Sequence, residues 1–259
     1  EGERTIVGNV MTIASLWSPE LGNVRDIKVY LPPSYTAGSE RYPVVYMHDG
    51  QNLFDQETAF GDEWGVDETM EALAGRGIEA IVVGIPNMGP ERLDEYSPFT
   101  DPEHGGGRGE DYLAFIVGTL KPYLDASFRT LADREHTGTF GSSMGGVISH
   151  YAYFRYPEVF GFAGAMSPSL WFAERAIFPV IEAAPFTPGR LYLDVGTGEG
   201  DDALADARRL RDILREKGYR SDEAFRYVED EGAGHDEAAW SSRLAEAISF
   251  LLGAVPERV

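Results

Sequence analysis

A short run of β-formers ending at Phe140 passes directly into Gly141-Ser142-Ser143-Met144-Gly145-Gly146, and the residues that follow, about 145–155, carry a helical pattern. A strand that reverses straight into a helix leaves few folds open, because the helix must carry the chain back before a parallel strand can pair. The rest of the sequence repeats this alternation. Strands are predicted at 43–47, 80–85, 137–140, 161–166, 191–195 and 224–228. Helices are predicted at about 62–73, 110–124, 145–155, 171–183, 202–217 and 235–252. Two antiparallel-looking strands, about 6–16 and 25–31, precede them. The strand runs are short and almost wholly apolar, as in Val44-Val45-Tyr46-Met47 and Ile81-Val82-Val83, which marks strands covered on both faces. The pattern predicts an α/β fold, a mostly parallel central sheet with helices on both faces in a three-layer sandwich. With no internal repeat, low-complexity tract or linker, the 259 residues read as one domain, 1–259. Residues 87–109 read as a long loop with Pro90, Pro98, Pro102 and Gly105-Gly106-Gly107, and a loop of that length in a compact domain is more often functional than idle.

Charge narrows the partners. The chain carries 22 basic and 43 acidic residues, a formal charge of −21, so nucleic acid and anionic membranes would be repelled. No stretch reaches the roughly 18 apolar residues of a membrane span. Only Lys28, Lys121 and Lys217 are lysine, an acidic, lysine-poor balance that fits a salty environment or a coding bias equally well. Absence of cysteine excludes disulfides, thiolate nucleophiles and cysteine metal sites. It leaves the compartment open, a cytoplasmic one being favoured over a secreted one. The chain begins at Glu1 rather than methionine, which fits a trimmed leader, although segment 1–20 has no signal-peptide pattern.

Gly141-Ser142-Ser143-Met144-Gly145 matches G-x-S-x-G with Ser143 at its centre. Small residues two before and two after the serine let the chain turn sharply, leaving the serine strained and its hydroxyl exposed. The helix that follows offers free N–H groups and a favourable dipole to an oxyanion. The blander reading, a glycine-rich turn, is disfavoured by the strand before the motif and the helix after it. A serine hydroxyl needs a base. Of five histidines, His235 in Glu231-Gly232-Ala233-Gly234-His235 lies on a loop beyond the last predicted strand, after the serine in the chain. His136 and His150 read as surface or structural residues. The acid that orients the base is sought between the two, where strand 191–195 leads into Gly196-Thr197-Gly198-Glu199-Gly200-Asp201-Asp202. Glu199 is the first choice and Asp201 the second, while Asp202 reads as the cap of the following helix. Asp201 stands where a dinucleotide fingerprint needs glycine. An oxyanion hole would take the N–H of Met144 and, through the turn at Gly50, that of Gln51.

Together, the segments Tyr46 to Asp55, Arg92 with Glu95 to Pro98, Gly141 to Gly146 and Ser167-Pro168-Ser169-Leu170-Trp171 resemble the Putative esterase family. This is the esterase D-like branch of the α/β-hydrolases, with feruloyl esterases, S-formylglutathione hydrolases, enterochelin-type siderophore esterases and mycolyltransferases. The resemblance covers about residues 8–253. It implies the α/β-hydrolase fold, Ser143 as nucleophile, His235 as base and an oxyanion hole from the N–H groups of Gln51 and Met144. The acid falls on Glu199, where many members carry aspartate. Trp171 and the 87–109 loop would shape the acyl or alcohol pocket, a core role for Trp171 being the competing reading. The chain thus reads as a serine carboxylic ester hydrolase acting through an acyl-enzyme on a small-molecule ester. No organic cofactor or metal is implied, since neither H-E-x-x-H nor a Walker motif occurs. An acyltransferase using the same residues and an inactive carbohydrate- or partner-binding module are the rivals. Neither the ester nor the oligomeric state is readable.

Overall fold

Along the strand Val44–His48, successive side chains enter different cores: Val44 and Tyr46 one, Val45 and Met47 the other. This is the two-residue period of a strand buried on both faces. The computed structural model, which describes residues 4–253, extends that arrangement across eight strands. They are β1 (Asn9–Ser18), β2 (Asn23–Leu31), β3 (Val44–His48), β4 (Ile81–Ile85), β5 (Thr137–Ser142), β6 (Phe162–Met166), β7 (Arg190–Gly196) and β8 (Phe225–Asp230). Their order in the sheet is β1-β2-β4-β3-β5-β6-β7-β8. β2 pairs antiparallel with β1 and β4, and every pair from β4 to β8 is parallel.

Helices close both faces. α1 (Val66–Ala74) lies with the last helix on one side. On the other lie α2 (Gly109–Phe115), α3 (Lys121–Ser127), α4 (Met144–Arg155), α5 (Ile177–Ala183) and α6 (Asp201–Lys217). The last helix, α7 (Glu237–Leu251), begins where the Asp236 side chain accepts the Ala239 N–H at 2.9 Å, a cap that satisfies one orphan donor of the first turn. This is the three-layer, mostly parallel α/β arrangement that the alternation predicts.

The departures have local causes. The helix expected over 62–73 starts only at Val66, because Gly65 stands at φ 61°. The one expected over 171–183 is confined to Ile177–Ala183. Ahead of it Ala173, Glu174 and Arg175 form a left-handed turn at φ 49°, 54° and 61°, held by Asp101 on the Ala173 N–H and by Asp206 on Arg175. The helix expected over 110–124 runs from Gly109 to Ser127 through a π-helical stretch, Ile116–Leu120. The 87–109 loop contains a helical turn, Arg92–Glu95, and a two-residue pairing of Thr100–Asp101 with Gly105–Gly106. Asp202 does not cap α6. The helix already begins at Asp201, and Gly200 precedes it. Among the described residues, no helix is long and apolar enough to cross a membrane.

Candidate active site

Ser143 sits between β5 and α4 at φ 58°, ψ −124°, a backbone region that costs a non-glycine residue about 1–3 kcal/mol. The neighbours that hold it there are visible. Its N–H donates to the Met166 carbonyl at 3.0 Å, and its carbonyl accepts the Ser169 N–H at 3.1 Å. Glycine at 141 is required because a Cβ there would lie 2.7 Å from the Gly145 backbone. The Ser143 hydroxyl pairs with the Ser169 hydroxyl at 2.9 Å. Met144 opens α4, so its N–H has no acceptor within the helix.

Across the cleft, the loops after β7 and β8 are laced together by Gly198 N–H to the Ala233 carbonyl and Gly232 N–H to Thr197 Oγ1. This brings His235 Nδ1 to 2.6 Å from Glu199 Oε1. The other Glu199 oxygen accepts the Ser167 hydroxyl and the Gly196 N–H, both at 2.6 Å. Burial alone would push the Glu199 carboxyl up, but the bonds from His235, Ser167 and Gly196 outweigh it and hold the group below the usual carboxylate range. The His235 ring stands edge-on to Trp240 at 5.0 Å and remains partly open to solvent. Asp201 and Asp202 are exposed on the first turn of α6, so of the three crowded carboxylates Glu199 is the one at the imidazole.

Behind Glu199 stands a group the sequence reading missed. Asp194 on β7 is wholly buried and paired with Arg243 of α7 through two bonds of 2.8 and 3.0 Å. Arg243 also donates to Ser167 Oγ at 3.3 Å, as does the Trp240 indole at 3.1 Å. With both acceptor directions of Ser167 occupied, its proton is left for Glu199. The segment Ser167 to Trp171 stood out in the sequence, yet no spacing rule assigns chemistry to either of its serines.

The loop after β3 is equally fixed. Asp49 takes a left-handed conformation at φ 57°, and Gly50 packs so close to β4 that a Cβ would lie 2.6 Å from the Gly84 backbone. The Gln51 side chain binds Asn87 through both its ends, accepting the Asn87 N–H at 2.9 Å and donating to its carbonyl at 3.3 Å. Arg92 grips Asp49 with two bonds of 2.8 and 2.9 Å, and the Tyr96 hydroxyl accepts the Asp49 N–H. Burial works against the Asp49 charge, but Arg92 overcomes it and keeps the carboxyl below its ordinary range. The pairing shows why the 46–55 and 92–98 segments carry a joint signal.

Gln51, Ser143 and His235 border one cleft of about 610 Å³, whose walls include Phe60, Trp64, Trp240 and Arg92. Trp171 is not in those walls. It is 46% exposed, against the core alternative, and packs on His104 and Phe172. The remaining histidines are occupied elsewhere. His48 bonds the Tyr112 hydroxyl, His150 donates to the Tyr192 carbonyl, and His104 and His136 pair with Asp101 and Asp133.

Residues 18–251 match the family described as Putative esterase. The Bacillus subtilis protein YbbA is 30% identical over 92% of this chain and 96% of its own. An iron(III) salmochelin esterase of Escherichia coli is 28% identical over 90% of this chain, which spans about half of that relative's length (55%). A ferulic acid esterase from Anaeromyces mucronatus superposes with a TM-score of 0.71 at 23% identity, covering 98% of this chain and 93% of its own. The chain belongs to the Putative esterase family, a carboxylic ester hydrolase on an α/β-hydrolase fold.

Proposed function

We propose that ester hydrolysis proceeds through an acyl-enzyme on Ser143, with His235 as the base and Glu199 as the acid that orients it. The observation that carries this is the 2.6 Å bond between His235 and Glu199 at the edge of the cleft that the Ser143 elbow enters. To react, the Ser143 hydroxyl exchanges its partner Ser169 for the free nitrogen of His235. The serine oxygen then adds to the ester carbonyl as His235 takes its proton. The resulting oxyanion is stabilised by the N–H groups of Met144 and Gln51. Collapse expels the alcohol with the proton that His235 returns, and a water molecule repeats the cycle on the acyl group. Glu199 keeps the tautomer with the proton on Nδ1 and stabilises the imidazolium.

The cleft favours an aromatic acid as the acyl part. Phe60, 89% exposed, lines it beside the buried Trp64 and Trp240, an apolar wall on which an aromatic ring packs, and ferulic acid is such an acid. The test is a pair of p-nitrophenyl esters with the same leaving group. The ferulate is expected to exceed the butyrate in kcat/KM by roughly ten-fold, and equal values would remove the aromatic assignment. Wild-type turnover in Ser143→Ala would overturn the mechanism itself.

A further inference from the structure

Away from the proposed reaction, three carboxylates meet at the start of α1: Glu63, Asp67 and Glu68. One oxygen from each lies within 4.8 Å of the others. That is the separation at which oxygens share a cation held at about 2.4 Å from each. Proximity of acids alone would mean little on a chain with a charge of −21. What sets this group apart is that Glu63 Oε2, Asp67 Oδ1 and Glu68 Oε2 are all buried and lack a hydrogen-bond partner among the described residues. Asp67 is wholly buried. Its other oxygen already accepts the N–H groups of Val7 at 2.8 Å and Gly8 at 3.2 Å, which fixes the side chain and leaves Oδ1 without a donor. The neighbouring charges that act on Glu63 and Glu68 are themselves carboxylates, Asp67 and Asp55 among them. A buried, unpaired carboxylate oxygen is costly, and three facing one another compound the cost.

We propose that Glu63, Asp67 and Glu68 form a binding site for a hard divalent cation of the calcium type. The donor set is oxygen alone, without the imidazole or thiolate ligands that softer metals prefer. Calcium tolerates irregular carboxylate geometry and fills its remaining positions with water. The site would be structural. It joins the segment leading into β1 to the first turn of α1, next to Trp64, whose carbonyl accepts the Ser241 hydroxyl of α7 at 2.6 Å. A cation there would brace the loop that carries Phe60 and Trp64 into the cleft.

The experiment uses the full chain stripped with EDTA. Calorimetric titration with calcium chloride is expected to show one saturable site. A calcium concentration about 100 times the Kd should raise Tm by about 5 °C or more, while sodium chloride of equal ionic strength should not. Glu63→Gln, a partly exposed change that leaves the Asp67 anchor intact, should weaken calcium binding roughly ten-fold or more, and Asp67→Asn should abolish it. No saturable heat, together with equal Tm shifts from calcium and sodium chloride, would overturn the proposal. So would a Glu68→Gln protein that is more stable than the parent while calcium affects neither, since two carboxylates sharing a proton would then account for the cluster.

Discussion

Asp194 and Glu199 lie five residues apart at the same end of β7, and both are carboxylates shielded from water, yet their surroundings commit them to different tasks. Asp194 spends its oxygens on donors that hold their protons throughout: the Arg243 guanidinium, the Tyr192 hydroxyl at 2.7 Å and the Ser167 N–H at 3.0 Å. Glu199 gives one oxygen to such fixed donors and the other to an imidazole. The difference arises from the backbone. Asp194 is held within the strand, whereas the short turn Thr197–Glu199 lifts the glutamate out of the sheet towards the loop after β8. The donor on the second oxygen, more than residue type or burial, separates a carboxylate that builds the site from the one proposed to take part in its proton chemistry.

Several substitutions can break or sharpen that contrast. Ser143→Ala sets the scale: p-nitrophenyl acetate hydrolysis should fall by about 10⁶-fold with a Tm close to the parent's. Glu199→Gln, which can no longer enforce the imidazole tautomer, should lose about 10⁴-fold in kcat and also keep its fold. Asp194→Asn should do the opposite. It leaves the Arg243 guanidinium with Asp230 as its remaining carboxylate, at 2.9 Å, and should cost about 3 kcal/mol in urea unfolding, while protein that remains folded keeps most of its kcat. If Asp194→Asn spared stability and abolished turnover, the two carboxylates would have exchanged roles.

A subtler contrast concerns the buried imidazoles. Burial drives His48 down to about 3 and His150 down to about 4, so both are neutral in the native protein near pH 7. In the unfolded chain each takes up a proton near pH 6.5. Between roughly pH 6.5 and 4 the unfolded state therefore binds more protons, and stability falls as the pH falls, by about 1.4 kcal/mol per pH unit for each group. His150→Gln should remove about one proton from that slope in urea melts at pH 7, 6 and 5. The smallest effect should come from Ser167→Ala. Glu199 loses one of its fixed donors, kcat should drop roughly three- to ten-fold, and Ser167→Thr should restore part of it.

The fold was readable because it is written in local periods: apolar runs of strand length, helical spacing, and Gly141 and Gly145 around the elbow. The segment 171–176 was not. Its left-handed turn is imposed by Asp101 and Asp206, which stand far from it in the chain, and Ala173, Glu174 and Arg175 carry no signal for that conformation. The site divides the same way. Ser143 and His235 are proposed from their places between strands and helices, and Glu199 from the loop after β7. Ser167, Asp194 and Arg243 act through contacts between β7, α7 and the loop after β6, and such contacts have no sequence period. Trp171 was noticed as part of a segment whose closest contact with the elbow is made by Ser169.

The topology also orders events in time. Ser143, Glu199 and His235 stand at the ends of β5, β7 and β8, while Gln51 follows β3, so no single hairpin or helical pair contains the proposed catalytic set. Non-local parallel pairing closes slowly, and the pieces meet only when the last strand docks. After dilution from denaturant, helical circular dichroism should return first and ester turnover last, which makes the enzyme's own activity a clock for the final step of its assembly.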